Sequence, residues 1–219
     1  MTRWAPQKTE VFDALVAEIV HNYGRGRVIV AVDGIDGAGK SHFADDLAEA
    51  IRVTGRHVLR ASVDGFHRPR VLRYAAGSES PRGFYQDSYD YETLRRVLID
   101  PFRDGGTGSF VLEAFDHRRD APIEPKWMTA KPDSILVFDG IFLHRPELRG
   151  LWSYSIWLEV ERAVAEQRML ERDGADGVKE RYSKGQELYL TEVKPKAAAS
   201  AIIDNNDFER LRRLFADSC

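Results

Sequence analysis

The residues with the clearest chemical potential form one octapeptide, Gly34-Ile35-Asp36-Gly37-Ala38-Gly39-Lys40-Ser41, directly after the apolar run 28–32. Its glycines let successive backbone N–H groups surround an anion, its lysine can reach the β- and γ-phosphates of a nucleotide, and its serine hydroxyl can bind Mg²⁺. After it, apolar residues recur at the spacing of an amphipathic helix. A strand, a glycine-rich loop and a helix in this order predict a site for ATP or GTP with Mg²⁺.

We expect this donor site to consist of Gly34, Asp36, Gly37, Ala38, Gly39, Lys40, Ser41 and His42. The alternative is a glycine-rich turn between a strand and a helix, with a lysine on the surface. The complete strand, loop and helix context favours the nucleotide site.

Two aspartates end other predicted strands. Asp139 follows an apolar strand and is expected to hold Mg²⁺ together with Ser41, although it could instead cap the next helix. Asp64 would face the γ-phosphate from the acceptor side, where a base accepts the proton of an attacking hydroxyl. Its alternative is an Asx-turn with Gly65. Parallel strands end at one edge of a sheet, so both aspartates should lie near the phosphate loop.

Basic and aromatic residues supply further candidates. Arg168 and Arg172 lie four residues apart on a predicted helix and could close over the phosphates, or form a solvated face with nearby glutamates. His117 could contact a polar acceptor, although a lone histidine is more often structural. Four aromatic residues could either stack on a planar ring or fill the core: Phe66, Tyr85, Tyr89 and Phe115.

Short apolar strands alternate with helical patterns along the chain, which predicts an α/β fold with a doubly wound, mostly parallel, five-stranded sheet and helices on both faces. We expect one domain, 1–219, with a small helical lid at about 162–185. The strand candidates are 28–32, 57–63, 109–114, 134–139, 155–160 and 201–203. A closing helix is predicted around Leu211, Leu214 and Phe215.

Composition narrows the class of protein. A chain of 219 residues with 43% hydrophobic residues can build one sizeable core. Its net charge of −3 argues against a nucleic-acid-binding protein, whose surface would be basic. The only cysteine is Cys219, so no intramolecular disulfide can form and a reducing compartment is favoured. We therefore expect a cytoplasmic protein that acts on a small-molecule substrate, makes no membrane contact and can form a homo-oligomer.

Residues 27–205 resemble the uridine kinase and phosphoribulokinase group of P-loop kinases, and most closely the bacterial uridine kinase-like proteins. Besides the phosphate loop, the resemblance rests on the segments 63–67, 87–90, 115–119, 138–142 and 168–172. It implies a P-loop NTPase fold and transfer of the γ-phosphate of ATP or GTP, assisted by Mg²⁺, to the 5′-hydroxyl of uridine or cytidine. The implied catalytic residues are Lys40, Asp64, Arg168 and Arg172. The resemblance also gives acceptor-side roles to Phe115, His117 and Arg119. The full set of expected acceptor residues is Phe66, His67, Arg68, Tyr85, Tyr89, Phe115, His117 and Arg119.

Two segments depart from the uridine kinase pattern. Those enzymes commonly carry a Phe-Asp-His-Pro-Asp-Ala-Phe-Asp-like segment whose first aspartate holds the ribose hydroxyls, whereas residues 83–90 read Gly-Phe-Tyr-Gln-Asp-Ser-Tyr-Asp. The segment 115–119 is also shorter than its counterpart, and 64–67 looks like the pantothenate kinase version. A pantothenate or sugar kinase and a non-catalytic nucleotide-binding module are therefore alternatives. A regulatory GTPase would need Asn-Lys-x-Asp, and residues 130–133 lack the asparagine.

Overall fold

The computed structural model describes residues 7–104 and 108–215. Cys219, the expected lone thiol, lies outside this part of the chain. Nine helices and eight strands are found within the described ranges, together with three 3-10 turns and one π-helical segment. In the same ranges, no helix is both long enough and apolar enough to cross a membrane.

The central sheet has six strands in the order β2-β5-β1-β6-β7-β8, which is one more than predicted. All neighbours are parallel except β8, which runs antiparallel to β7. A separate short hairpin pairs β3 with β4. The strands are β1 (Val28–Gly34), β2 (Val58–Ser62), β3 (Phe115–Asp116), β4 (Ala121–Pro122), β5 (Ile135–Asp139), β6 (Tyr154–Glu159), β7 (Ala201–Asp204) and β8 (Arg212–Leu214).

Helices cover both faces of the sheet. They are α1 (Lys8–Tyr23), α2 (Lys40–Val53), α3 (Arg70–Arg73), α4 (Pro81–Asp87), α5 (Tyr91–Leu94), α6 (Asp100–Asp104), α7 (Arg162–Asp173), α8 (Glu180–Val193) and α9 (Pro195–Ala198). The π-helical segment Arg95–Ile99 joins α5 to α6. Because side chains alternate along a strand, Val28, Val30 and Val32 pack into one core and Ile29 and Ala31 into the other. This double burial confirms the predicted doubly wound α/β architecture.

Two predicted elements are wrong. Residues 109–114 form no strand of the sheet, because Phe110 makes only an isolated bridge to Met128 and packs its ring on Phe102 at 5.5 Å. The predicted closing helix is instead the edge strand β8, which pairs with β7 in the register Ile202↔Leu214. In both places tertiary contacts overrode the local pattern, because an apolar run is compatible with more than one backbone conformation.

The register of the sheet sets the position of the site. Val32 in β1 and Ser62 in β2 both lie beside Asp139 at the carboxyl end of β5. The phosphate loop follows β1 at the same edge, and Asp64 follows β2. Three loops from neighbouring parallel strands therefore meet at one end of the sheet, which is where open α/β sheets bind ligands.

Candidate functional site

The phosphate loop connects the buried strand β1 to the first residue of α2, Lys40. Gly37 and Gly39 have φ values of 78° and 82°, which favour glycine. The Lys40 ammonium donates to the carbonyl oxygen of Ile35 at 2.9 Å and lies 3.9 Å from Asp36 Oδ1. The loop therefore has the form that wraps phosphate oxygens, with its lysine held against the loop backbone.

Neighbouring elements lie directly against this loop. A Cβ on Gly37 would collide with the carbonyl oxygen of Ala165 in α7, and one on Gly39 would lie 2.5 Å from the ring of Phe208. The amide of Asn205 donates to the carbonyl oxygen of Ala38 at 2.6 Å. The glycines are therefore needed both for their backbone conformation and for the close approach of α7 and the β7–β8 connection.

Ser41 and Asp139 lie together at the start of α2. The Ser41 hydroxyl donates to Asp139 Oδ2 at 2.8 Å, and Asp139 is buried. Hydroxyl and carboxylate oxygens suit Mg²⁺, which usually takes its remaining ligands from phosphates and water. The described ranges contain no group of three or more His, Cys, Asp and Glu residues that could hold a metal by themselves. This pair thus fits a metal that arrives with a nucleotide.

Arg60 is a member of the site that the sequence analysis missed. Its guanidinium Nη2 lies 3.0 Å from Asp139 Oδ1, and its Nε lies 2.9 Å from Asp45 Oδ1. The sequence signal that could have revealed it is an arginine in the middle of a predicted strand, because an arginine that becomes buried there needs acidic or carbonyl partners. Arg60 thereby connects the metal-side aspartate to α2.

Asp64 lies in a 3-10 turn, Val63–Phe66, directly after β2. The Tyr89 hydroxyl donates to Asp64 Oδ1 at 3.2 Å. Burial, together with the charge of Asp64, raises the pKa of Tyr89 well above its ordinary value, so this phenol stays protonated and remains a donor. One carboxylate oxygen of Asp64 is thus occupied by a neutral donor, and the other can accept a hydrogen bond from a ligand.

Two histidines stand beside this aspartate. The rings of His67 and His117 are stacked with centroids 4.7 Å apart, and the His67 ring lies 4.6 Å from that of Tyr89. His67 Nδ1 lies 3.0 Å from the carbonyl oxygen of Asp64, to which an N–H there donates. Burial lowers the pKa of His67, which favours the neutral imidazole. The surroundings of Asp64 on this side are therefore polar and aromatic.

The donor and acceptor sides share one open cleft of about 460 Å³. Asp36, Gly37, Gly39, Lys40, Ser41, His42, Asp64, Tyr89, Asp139, Arg168 and Arg172 all line it. The structure thus brings the predicted phosphate, metal, base and lid residues to one place.

Arg168 is tied to the loop region by several contacts. Its guanidinium donates to the carbonyl oxygens of Gly37 at 3.3 Å, Asn205 at 3.0 Å and Asn206 at 2.8 Å. The same group lies 3.9 Å from the centre of the Phe208 ring. Burial lowers the pKa of Arg168, but a guanidinium remains charged at neutral pH. Arg168 is therefore a fixed cation beside the phosphate loop.

Arg172 is more exposed and pairs with Asp173 Oδ2 at 2.7 Å. This hydrogen bond raises the pKa of Arg172, and the charges of Asp36 and Asp64 act in the same direction.

The expected lid range spans α7, the 3-10 turn Gly174–Val178 and the first residues of α8. However, a Cβ on Gly185 of α8 would lie 2.6 Å from the Phe84 ring, so α8 packs tightly on α4.

Gln186 of α8 is a second site residue that the sequence analysis missed. Its side-chain oxygen accepts from the backbone N–H of Asp36 at 2.8 Å, and its amide nitrogen lies 3.3 Å from Asp36 Oδ2. Burial raises the pKa of Asp36, while Lys40 lowers it and Asp64 raises it. A glutamine in a charged helix is a common surface residue, so nothing in the sequence pointed to it. Gln186 reaches the phosphate loop only because α8 lies beside that loop.

Several expected acceptor residues lie elsewhere. Phe66 and Tyr85 belong to the hydrophobic core, where Tyr85 packs on Phe142 at 5.3 Å, and neither lines the cleft. Phe115 is likewise buried in β3. In the rest of the expected set, Arg68 lies 3.9 Å from Asp87, and the Arg119 N–H donates to Asp116 on the exposed hairpin turn at 3.1 Å. Aromatic side chains near a site are thus divided between cleft and core by tertiary packing.

Together, the sheet order, the loop after the central strand and the Ser41–Asp139 pair define a P-loop nucleotide-binding α/β protein. No family model and no curated protein matches the sequence.

Solved structures of kinases share this architecture. A "Possible Uridine Kinase" from Bacillus stearothermophilus is 23% identical, with a TM-score of 0.70 over 88% of this chain and 97% of its own. A "putative fructose transport system kinase" from Silicibacter sp. TM1040 is 26% identical, with a TM-score of 0.63 over 86% of this chain and 94% of its own. D-glycerate 3-kinase from Cryptococcus neoformans is 9% identical, with a TM-score of 0.52 over 84% of this chain and 86% of its own. The chain therefore has the fold of the P-loop kinases.

Proposed function

We propose that this protein is a kinase that transfers the γ-phosphate of ATP or GTP to a hydroxyl group of a small molecule, with Mg²⁺ as the accompanying metal. The observation that carries the proposal is the position of Asp64, which shares one cleft with the phosphate loop and the Ser41–Asp139 pair. A nucleotide-binding module without catalysis would not need a carboxylate on the acceptor side of that cleft.

Each residue then has a distinct task. Asp64 accepts the proton of the attacking hydroxyl, while Tyr89 holds the carboxylate through one oxygen. Lys40 leaves the Ile35 carbonyl oxygen for the phosphates, and Arg172 contributes positive charge to the transferring group. Ser41 and Asp139 would hold Mg²⁺, which neutralises charge on the phosphate oxygens when it is bound.

The leading acceptor is the 5′-hydroxyl of uridine or cytidine. Support comes from the resemblance to uridine kinases and from the cluster of Tyr89, His67 and His117 rings, which packs next to Asp64. A sugar is the second candidate, because one structural neighbour is described as a putative fructose transport system kinase. Pantothenate is the third, on the likeness of the segment 64–67.

The first test measures ADP formation with Mg²⁺ and uridine, cytidine, fructose, glycerate or pantothenate. We expect at least one of these hydroxyl compounds to raise turnover clearly above the rate without an acceptor. If no compound in a broad panel of nucleosides, sugars and hydroxy acids does so, the kinase proposal fails.

The second test uses Asp64→Asn. Loss of a general base is expected to reduce kcat at least about 100-fold while ATP binding stays nearly unchanged. Asp133→Asn is the matched control, because Asp133 is an exposed carboxylate that pairs with Arg56 at 3.5 Å, near the opposite end of β5. Equal rates for the parent and the Asp64 variant would remove Asp64 from the mechanism.

A further inference from the structure

Arg60 is a charged residue on the edge strand β2, and its side chain is only 20% exposed. All three guanidinium nitrogens have acceptors. Nε donates to Asp45 Oδ1 at 2.9 Å, Nη1 to the Val137 carbonyl oxygen at 2.9 Å, and Nη2 to Asp139 Oδ1 at 3.0 Å. A largely buried arginine is tolerated only where its donors are satisfied, so this arrangement is a specific one.

These contacts close a ring of hydrogen bonds. Ser41 and Asp45 lie one turn apart on the same face of α2. Ser41 donates to Asp139 Oδ2 at 2.8 Å, Arg60 donates to Asp139 Oδ1, and Asp45 accepts from Arg60. Both oxygens of Asp139 are therefore held, and the carboxylate cannot rotate without breaking a bond on each side.

We propose that Arg60 is a positioning residue that orients Asp139 toward the Mg²⁺ side of the phosphate loop. The inference rests on the proposed use of a nucleotide with Mg²⁺. Because Arg60 occupies Oδ1, the other oxygen, Oδ2, stays directed at Ser41, whose hydroxyl would bind the metal. Asp45 in turn fixes Arg60 relative to α2, so the metal-side carboxylate and the start of α2 move as one unit.

Arg60 has two opposing effects on a bound cation. Its positive charge repels the metal, whereas its fork holds a carboxylate in the orientation that the metal needs. The Asp45 carboxylate offsets the repulsion because it pairs with the same guanidinium. Partners that orient metal ligands are commonly worth about 10–100-fold in metal affinity. We therefore expect the loss of Arg60 to weaken metal-dependent binding.

The test measures the affinity for ADP by calorimetry, once with Mg²⁺ and once with EDTA, for the parent and for Arg60→Met and Arg60→Lys. We expect Arg60→Met to weaken binding in Mg²⁺ at least about tenfold and to leave binding in EDTA nearly unchanged. Arg60→Lys keeps the charge but loses the fork, so it should also bind more weakly in Mg²⁺. Unchanged or tighter binding in Mg²⁺ by Arg60→Met overturns the proposal, and a fully parental Arg60→Lys overturns the part played by the fork.

Two further variants serve as a graded test and a control. Asp45→Asn leaves the Arg60–Asp139 contact in place but weakens its link to α2, so a smaller loss in Mg²⁺ is expected. This variant also tests the ring if Arg60→Met does not fold, which thermal unfolding followed by circular dichroism will reveal. Arg52→Met removes an exposed arginine of α2 that pairs with Glu49 at 3.0 Å, and it should bind like the parent. Parental binding by Asp45→Asn would refute the closed ring.

The experiment separates this inference from the proposed kinase activity. Binding is measured without an acceptor, so failure to find an acceptor would leave the result interpretable. If the parent protein binds ADP no more tightly with Mg²⁺ than with EDTA, the proposed metal site itself fails. If the parent depends on Mg²⁺ but Arg60→Met depends on it equally, only the role of Arg60 fails.

Discussion

The contact between the phosphate loop and α7 leads to a quantitative prediction for Gly37→Ala. Gly37 has a φ of 78°, a conformation that costs an L-residue with a Cβ about 1–2 kcal/mol. The new Cβ would also collide with the Ala165 carbonyl oxygen, and overpacking of this kind typically costs about 1–3 kcal/mol. We therefore expect Gly37→Ala to lower the free energy of unfolding by about 2–5 kcal/mol.

The same substitution should impair the site. Relief of the collision requires α7 to move away from the loop, and Arg168 of α7 is bonded to the Gly37 carbonyl oxygen at 3.3 Å. We expect the affinity for ADP to fall at least about tenfold, which corresponds to about 1.4 kcal/mol. Calorimetric titration with ADP measures this change, and urea unfolding followed by circular dichroism measures the stability.

Gly55→Ala is the matched control. Gly55 has a φ of 83°, but no atom beyond Gly55 and its two chain neighbours lies within 4 Å of the position that its Cβ would take. This variant should therefore lose only the backbone term of about 1–2 kcal/mol and should bind ADP like the parent. Equal stability losses in the two variants, together with parental ADP binding by Gly37→Ala, would refute the argument that α7 and the loop are in tight contact.

Two further predictions concern buried and paired groups. The buried Tyr189 hydroxyl donates a hydrogen bond to Asp33 Oδ2 and accepts one from the His144 backbone N–H at 3.0 Å. Tyr189→Phe leaves both partners without this hydroxyl, so we expect the free energy of unfolding, measured by urea titration, to fall by about 1–3 kcal/mol. A hydrogen bond from Arg213 holds the pKa of the Glu18 carboxyl below its ordinary value of 4.5. The ionised Glu18 therefore stabilises the fold above pH 4.5, and this contribution is lost as the pH falls through the lower pKa of the folded state. Glu18→Gln should therefore flatten the acid side of the stability profile.

Clear outcomes would contradict both expectations. A Tyr189→Phe variant as stable as the parent would mean that the hydroxyl is not needed by its two partners. A Glu18→Gln variant whose stability falls with acidification as steeply as that of the parent would mean that the pair with Arg213 contributes nothing. Both comparisons use the same urea titration, repeated across pH for the second.

The parts of the site that the sequence predicted are those with local causes. The phosphate loop depends on glycines and a lysine at fixed spacing between a strand and a helix, and the structure has that arrangement. Asp64 and Asp139 were expected at one edge because parallel strands end together, and both line the cleft. Their chemical roles stay predictions until the variants are measured.

The errors have one common source. Residues 109–114 and 211–215 carry apolar side chains whose spacing suits a strand and a helix, yet one segment packs without a ladder and the other pairs as β8. Phe66 and Tyr85 look like ligand-stacking aromatics, but they fill the core. In each case the local pattern states only that the residue will be buried, and the partner that buries it comes from a distant part of the chain.

The sequence by itself determined the fold class and the form of the phosphate loop, because hydrophobic alternation and loop chemistry act over a few neighbouring residues. Only the tertiary structure decided which distant groups complete the site. Arg60 reaches Asp139 across 79 positions, and Gln186 reaches Asp36 across 150, so neither contact leaves a local signal. Such contacts follow from the docking of whole helices and strands, whose relative positions are set by burial of their apolar faces.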